Sequence, residues 1–336
     1  MVRCCLVFNE KSGAASRGDL VRRSMPAHSP MIPTCADESK FRQSLEQAFD
    51  AGVRRVIVAG GDGTVHRLIN CVTPRVGPIE MAIIPLGTGN DLARSLGLPL
   101  DDDDYAIRLA LTGAAQPIDV VRVDDGSVSY FVNGATAGFG GQVAVDTTPE
   151  VKATWGPFAY WMTAISELAQ LTEYDVQLHF DHHRIRTKTY GLAVANGRYV
   201  GGGFPIAPFA WVDDGLLDVT LIPVLPPLEL LAAGLNYILG ELTGGGRLKT
   251  FRSRSVRIVS RPDMMYSMDG DPVREVDARF EVLPSALNMV PGPFPVALQA
   301  SPRSLFSPVD AATQARFESP SRLPTGDRYG TSTERP

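Results

Sequence analysis

The chain has 336 residues, carries Lys+Arg 32 against Asp+Glu 37 for a formal net charge of -5, and is 44% hydrophobic and 21% charged. That composition is globular, and the length suffices for two cores. The scattered basic residues exclude a general nucleic-acid binder, which needs a clustered cationic excess. The cysteines stand at 4, 5, 35 and 71 with no CxxC pair, which excludes a disulfide framework or a zinc site and fits a reduced, cytosolic compartment.

Residues 3–8 form an apolar run that turns polar at Asn9; this predicts a first β-strand and lacks the apolar core of a secretory signal. Phe41, Leu45, Ala48 and Phe49 share a helical face, and Gly52 stands where a helix C-terminal glycine belongs. Residues 55–59 repeat the strand signal. Val65, Leu68, Ile69 and Val72 give an i, i+3, i+4, i+7 helix face, and 81–84 is strand again. This is the βαβ rhythm of a sheet covered by helices. The acidic run 101–104 precedes a helical stretch 105–111 and suits the positive end of a helix dipole.

From about Pro117 the texture changes to short β-like runs at 118–123, 128–132, 176–180, 189–195, 217–222, 256–259 and 280–283, with helical stretches at 157–171 and 227–242. The expected organisation is an α/β domain over 1–116 and a β-rich domain over 117–295, with the last strands free to return to the first. A tail over 300–336, rich in Ser, Pro and Arg, reads as disordered. The most apolar region, 216–242, is interrupted by Asp218, Pro223, Pro226, Pro227, Glu229 and Asn236. It therefore lacks the roughly 20 mostly apolar residues of a spanning helix, although peripheral contact with a membrane remains compatible.

Three strand ends run into polar or glycine-rich loops: Asn9 to Gly13, Gly60-Gly61-Asp62-Gly63-Thr64, and Gly87-Thr88-Gly89-Asn90-Asp91. In an open α/β sheet such loops gather at the carboxyl edge, where ligands bind. Glycines let backbone N–H groups approach phosphate oxygens, and a following helix N-terminus favours negative charge. Neither glycine loop has the P-loop Gly-Lys-Ser/Thr or the GxGxxG spacing, so amides, hydroxyls and a metal must hold the phosphates in place of a loop lysine.

The string 60–64 and the string Pro85-Leu86-Gly87-Thr88-Gly89-Asn90-Asp91-Leu92-Ala93-Arg94 resemble the catalytic domain of diacylglycerol kinases, sphingosine kinases and bacterial YegS-like lipid kinases. The resemblance continues in order through 133–140, Asn196-Gly197-Arg198, Gly201-Gly202-Gly203, Pro208-Phe209-Ala210, 213–218 and Met268-Asp269-Gly270-Asp271-Pro272, and so spans about residues 3–290. It implies an α/β nucleotide-binding domain followed by a β-rich domain, with ATP in the cleft. It also implies nucleotide contacts from Asn9, Ser12, Gly13, Thr34, Gly60, Gly61, Asp62, Gly63, Thr64, Thr88 and Asp91, with Asp62 and Asp91 orienting ATP and Mg2+. A second magnesium position would use the Asp214 carboxylate and the carbonyls of Trp211 and Leu216; the same Asp-Asp-Gly string is also a good turn.

The implied general base is Asp271. Relatives commonly carry Asp-Gly-Glu there, and the aspartate is one methylene shorter, so loop or substrate must move to restore hydrogen-bond reach. A second departure follows the 60–64 loop, where relatives often have Asn and Glu and this chain has His66 and Arg67, while Asn70 remains. His66 at a helix start is expected to be solvated. The pair His182-His183 falls in a polar turn, its side chains pointing apart. The implied substrate is a lipid hydroxyl presented at the inner face of a membrane, the acyl chains lying in an apolar cleft. A NAD-kinase-like phosphotransferase and a non-catalytic lipid- or nucleotide-binding regulator stay open as alternatives, as does a homodimer.

Overall fold

The computed structural model describes residues 2–9, 15–34, 37–73, 79–138, 171–226, 229–230, 249–269, 271–274 and 277–293, with backbone only at 15–16 and 271–274. The expected tail over 300–336, the helical stretch 157–170 and most of 227–242 lie outside these residues. So do Ser12, Gly13 and Cys35.

Four strands form the parallel part of the sheet in the order β4 (Glu80–Pro85), β3 (Arg55–Gly60), β1 (Cys4–Phe8), β2 (Met31–Pro33). β3 and most of β4 are buried, as continuous apolar strands must be when both faces are covered. The alternation of side chains divides them cleanly. Val56, Val58, Met81 and Ile83 meet Phe41 and Leu45 of α2 (Glu38–Asp50) and Val65, Leu68 and Ile69 of α3 (Asp62–Val72). Ile57, Ala59, Ala82 and Ile84 meet Val21 of α1 (Ala15–Ser24) and Ala106, Ile107 and Ala110 of α5 (Asp103–Thr112) on the other face. The helix ends follow local chemistry. Asp37 and Asp102 accept from the amides of Lys40 and Tyr105, and Gly52, just past the end of α2, has φ +86°. Arg55 heads an apolar strand because it reaches Glu80 and the carbonyls of Ala110 and Gly113.

The remaining strands are antiparallel and share a core around Phe131, Leu178, Leu192, Val219, Ile258 and Phe280. They include β5 (Gln116–Asp124), β6 (Val128–Phe131), β7 (Gly134–Gly138), β8 (Tyr174–Phe180), β9 (Arg184–Ala195), β10 (Leu217–Pro223), β11 (Lys249–Ser253), β12 (Ser255–Arg261), β13 (Met265–Met268) and β14 (Asp271–Arg274). Phe131 and Phe280 meet edge-on with centroids 6.3 Å apart, the arrangement ring quadrupoles favour. The long strand β15 (Asp277–Met289) joins the two regions. It pairs antiparallel with β12 and β5, and its last residues, Asn288 and Met289, lie parallel to Glu80 and Met81 of β4. Its register shifts between Leu283 and Leu287, where Ser285 takes φ +54°. Asp119, 1% exposed, fixes that irregularity by accepting from the amides of Ser285 (2.8 Å) and Gly215 (2.7 Å). Burial pushes its carboxyl pKa up, and the two amides pull it back.

Candidate active site

The carboxyl ends of β3 and β4 deliver the two glycine loops side by side. A Cβ on Gly87 would stand 2.4 Å from the Gly61 Cα and 2.8 Å from Asn90 Oδ1, so the two backbones touch and only glycine permits it. Asn90 closes the second loop. In the left-handed region at φ +53°, it accepts from the Gly87 amide at 3.0 Å and donates to the Gly87 carbonyl at 2.6 Å.

Buried carboxylates then tie each loop to the next. Asp62, the first residue of α3, accepts from the amides of Asp91 and Leu92, each at 3.1 Å, at the start of α4 (Asp91–Ser95). Asp91 accepts in turn from Gly202 (2.9 Å) and Gly203 (2.6 Å), which lie more than a hundred residues on. Asp269, at φ +45°, accepts from Val132 (3.3 Å), Asn133 (3.2 Å) and Gly134 (3.0 Å). Ser95 completes the convergence by donating to Asn133 Oδ1 at 2.9 Å and accepting from the Arg198 amide at 3.0 Å. The segments around residues 61, 87, 133, 197, 202 and 269, scattered over two hundred residues, thus form one hydrogen-bonded cluster.

Asp62 and Asp91 are held so that ionisation of either is disfavoured. Burial is the largest effect on Asp62; the charge of Asp91 adds to it, and together they push its pKa up to about 7 against the pull of the two amides. Asp91 is raised as well, first by burial, with the Gly202 and Gly203 amides and Arg94 pulling back. Asp62 is thus able to gain or lose a proton near neutrality, a property concentrated at functional sites.

Of the nucleotide residues expected from the sequence, Gly60, Gly61, Asp62, Gly63, Thr64, Thr88 and Asp91 come together here, with Gly63 and Thr88 exposed and Thr64 buried. Asn9 and Thr34 stand at the ends of neighbouring strands, and the Thr34 amide donates to the Phe8 carbonyl at 2.8 Å. Asp271 opens β14, paired with Met268 across the hairpin that carries Asp269. His66 departs from expectation. Its side chain is 12% exposed, with Nδ1 3.4 Å from Asp269 Oδ2, because α3 packs against the 130–134 segment and carries this face inward. His182 and His183 lie in the β8–β9 turn, His183 stacked on Phe180 at 4.7 Å between centroids.

The carboxylates for which cation roles were expected have protein partners of their own. Both oxygens of Asp62 and of Asp91 accept from backbone amides. Asp214 accepts from the Leu216 amide at 3.0 Å and pairs with Arg252, which also reaches the buried Asp218 at 3.3 Å. A divalent ion held by Asp214, Trp211 and Leu216 would have to displace that guanidinium. Burial pushes Asp218 up to about 6 even with Arg252 beside it, and raises Asp214 as well. Among the described residues, no group of three or more His, Cys, Asp and Glu side chains is arranged to hold a metal ion.

Comparison with known proteins matches residues 3–123 to the model of the diacylglycerol kinase catalytic domain and residues 133–291 to that of the YegS C-terminal NAD kinase beta sandwich-like domain. A Pseudomonas putida (strain KT2440) protein named "Probable lipid kinase YegS-like" is 35% identical over 73% of this chain and 79% of its own length. The chain belongs to the YegS-like lipid kinase family. A Pectobacterium atrosepticum protein of the same name is 30% identical over 84% of this chain and 94% of its own. The crystal structure of a diacylglycerol kinase from Bacillus anthracis str. Sterne matches with TM-score 0.65 and 21% identity over 87% of this chain and 97% of that one, a likeness of fold. The α/β region and the β-rich region expected from the sequence are therefore those of a lipid kinase, an enzyme class that uses a nucleotide. No helix among the described residues is long and apolar enough to cross a membrane.

The sequence carried no signal for the roles of Asp119, Asp218, Arg252 or Gly202. Their partners lie 34 or more residues away along the chain, although Gly202 and Asp218 fall in strings that carried the resemblance.

Proposed function

We propose that the protein transfers the γ-phosphate of ATP to the hydroxyl of a lipid such as diacylglycerol or phosphatidylglycerol. The observation that carries this reading is the Asp62–Asp91–Gly202 relay of hydrogen bonds, which ties the two glycine loops and the Gly201–Gly203 loop to one another. In this reading the amides at the start of α3 and the hydroxyls of Thr64 and Thr88 face the phosphates, with Asn9, Ser12, Gly13 and Thr34 toward the rest of the nucleotide. Magnesium bound with ATP would supply neutralising charge at the phosphates, while Asp62 and Asp91 hold the loops that face them. Asp271 takes the proton of the lipid hydroxyl as that oxygen bonds to the γ-phosphorus and the bond to the β,γ-bridging oxygen breaks, releasing ADP. The enzyme works in the cytoplasm, visiting the inner membrane face to collect its lipid.

The test is transfer of labelled γ-phosphate from ATP and magnesium to detergent-dispersed diacylglycerol, phosphatidylglycerol, ceramide and sphingosine, with NAD alongside. Label in a lipid, lost in Asp271→Asn while ATP binding persists, is the expected result. Label only in NAD would replace the lipid reading with an NAD kinase, and ATP binding with no labelled acceptor would point to a regulator.

A further inference from the structure

His66, expected to be solvated, reaches the centre of the cluster. It sits one turn into α3, the helix whose first residue is Asp62. Its Nδ1 lies 3.4 Å from Asp269 Oδ2, with side chains 12% and 4% exposed respectively. An ionised carboxylate only accepts, so Nδ1 is the nitrogen that carries the proton in this pair. On the other side of the ring, Nε2 faces Asn70 Nδ2 at 3.3 Å. The orientation of that amide is fixed independently: Asn70 accepts from the Tyr130 amide at 2.9 Å and donates to the Tyr130 carbonyl at 2.8 Å. The second Asn70 N–H donates to the His66 carbonyl at 3.0 Å, so Asn70 also ties His66 to β6 and the proton assignment rests on the Asp269 contact.

We infer that His66 is a positioning residue that locks the Asp269 turn to the nucleotide helix. Three observations converge on it. Asp269 is held in a left-handed conformation and its carboxylate gathers the amides of Val132, Asn133 and Gly134, so its direction sets the 132–134 loop. Two residues on, Asp271 begins β14, whose register with β13 depends on the same hairpin. One face of α3 meets these segments, with Asn70 holding the backbone of Tyr130 in β6 and His66 facing Asp269. Asp62 at the head of the helix and Asp269 at its side bring two carboxyl groups into one cluster, and His66 stands where the two segments meet. The helix that begins at the glycine loop is thereby coupled to the hairpin that carries the acceptor-side aspartate.

This inference rests on the kinase reading for its catalytic consequence, but its structural part does not. The experiment therefore has two readouts on the full chain. The variants are His66→Leu, which removes the donor at similar volume, and His66→Asn, whose side-chain amide nitrogen sits near the place of Nδ1. Amide hydrogen exchange at residues 132–134 is expected to quicken at least tenfold in His66→Leu and to stay within about threefold of wild type in His66→Asn. Phosphate transfer to the best lipid is expected to show kcat down at least tenfold in His66→Leu with KM for ATP within twofold, and recovery in His66→Asn. Unchanged exchange at 132–134 in His66→Leu overturns the inference whether or not the protein is a kinase. Quickened exchange with wild-type kcat, or an equal loss in both variants, overturns the positioning role. Quickened exchange in a protein whose wild type labels no lipid leaves the lock in place and removes the kinase reading alone.

Discussion

Gly87→Ala tests the contact on which the cluster depends. The added carbon would stand 2.4 Å from the Gly61 Cα, against about 3.5–4 Å for unstrained carbon contact, so the two loops must part by more than about 1 Å. The obstacle is backbone on both sides, and it cannot swing away as a side chain would. The second near atom, Asn90 Oδ1 at 2.8 Å, is the one that accepts from the Gly87 amide, so relief in that direction breaks the loop's own closure. Overpacking of this kind costs about 1–3 kcal/mol, a fall in Tm of roughly 1–4 °C at this size. A misplacement near 1 Å at reacting groups costs on the order of 100-fold in rate. Gly18→Ala is the matched control, since its Cβ meets nothing within 4 Å and it lies inside α1; it should stabilise by about 0.5–1 kcal/mol. Thermal unfolding followed by circular dichroism and γ-phosphate transfer to lipid measure the two effects. A Gly87→Ala protein that melts and transfers phosphate like wild type would refute the claim that loop contact sets the site.

The other predictions concern the carboxylates. Asp218 is raised from 3.8 to about 6, so the fold favours its protonated form, and the stability it contributes is present below about pH 4 and lost as pH rises through about 6. Two units correspond to about 3 kcal/mol, so Asp218→Asn should gain on wild type by that order between pH 4 and pH 7 in urea unfolding; parallel pH profiles would disprove it. Asp91→Ala leaves the Gly202 and Gly203 amides without their acceptor and should cost about 1–3 kcal/mol, with KM for ATP raised; an unchanged Tm would mean the relay is not holding the loops. In Asp271→Asn, phosphate transfer should fall by at least about 100-fold, the scale of general-base catalysis, with ATP affinity measured by calorimetry unchanged.

Much of this architecture was legible before any coordinates. β3 and β4 announce themselves as unbroken apolar runs, and the face of α3 follows from Val65, Leu68, Ile69 and Val72, all buried. α1 and β2 were not legible. α1 contains Gly18 and buries little beyond Val21, and β2 is a three-residue strand ending at Pro33 whose extended form comes from pairing with β1. The loops were visible as glycine strings, but what fixes them was not. The carboxylates of Asp62 and Asp91 suggested a cation, while the amides that occupy them belong to residues 29 to 112 positions away. His66 looked solvated because its own helix turn is polar, and the wall it meets is built by residue 269.

The strand β15 has a consequence for how the chain reaches its fold. Residues 277–289 seal β12, β5 and β4 at once, so until they leave the ribosome each of those strands lacks one hydrogen-bonding neighbour, and the buried backbone of β4 stands as an open edge. Neither region can therefore close during synthesis of the first two-thirds of the chain. The nascent protein must wait with adhesive strand edges exposed, and a premature stop near residue 275 would release a chain whose two regions are both incomplete.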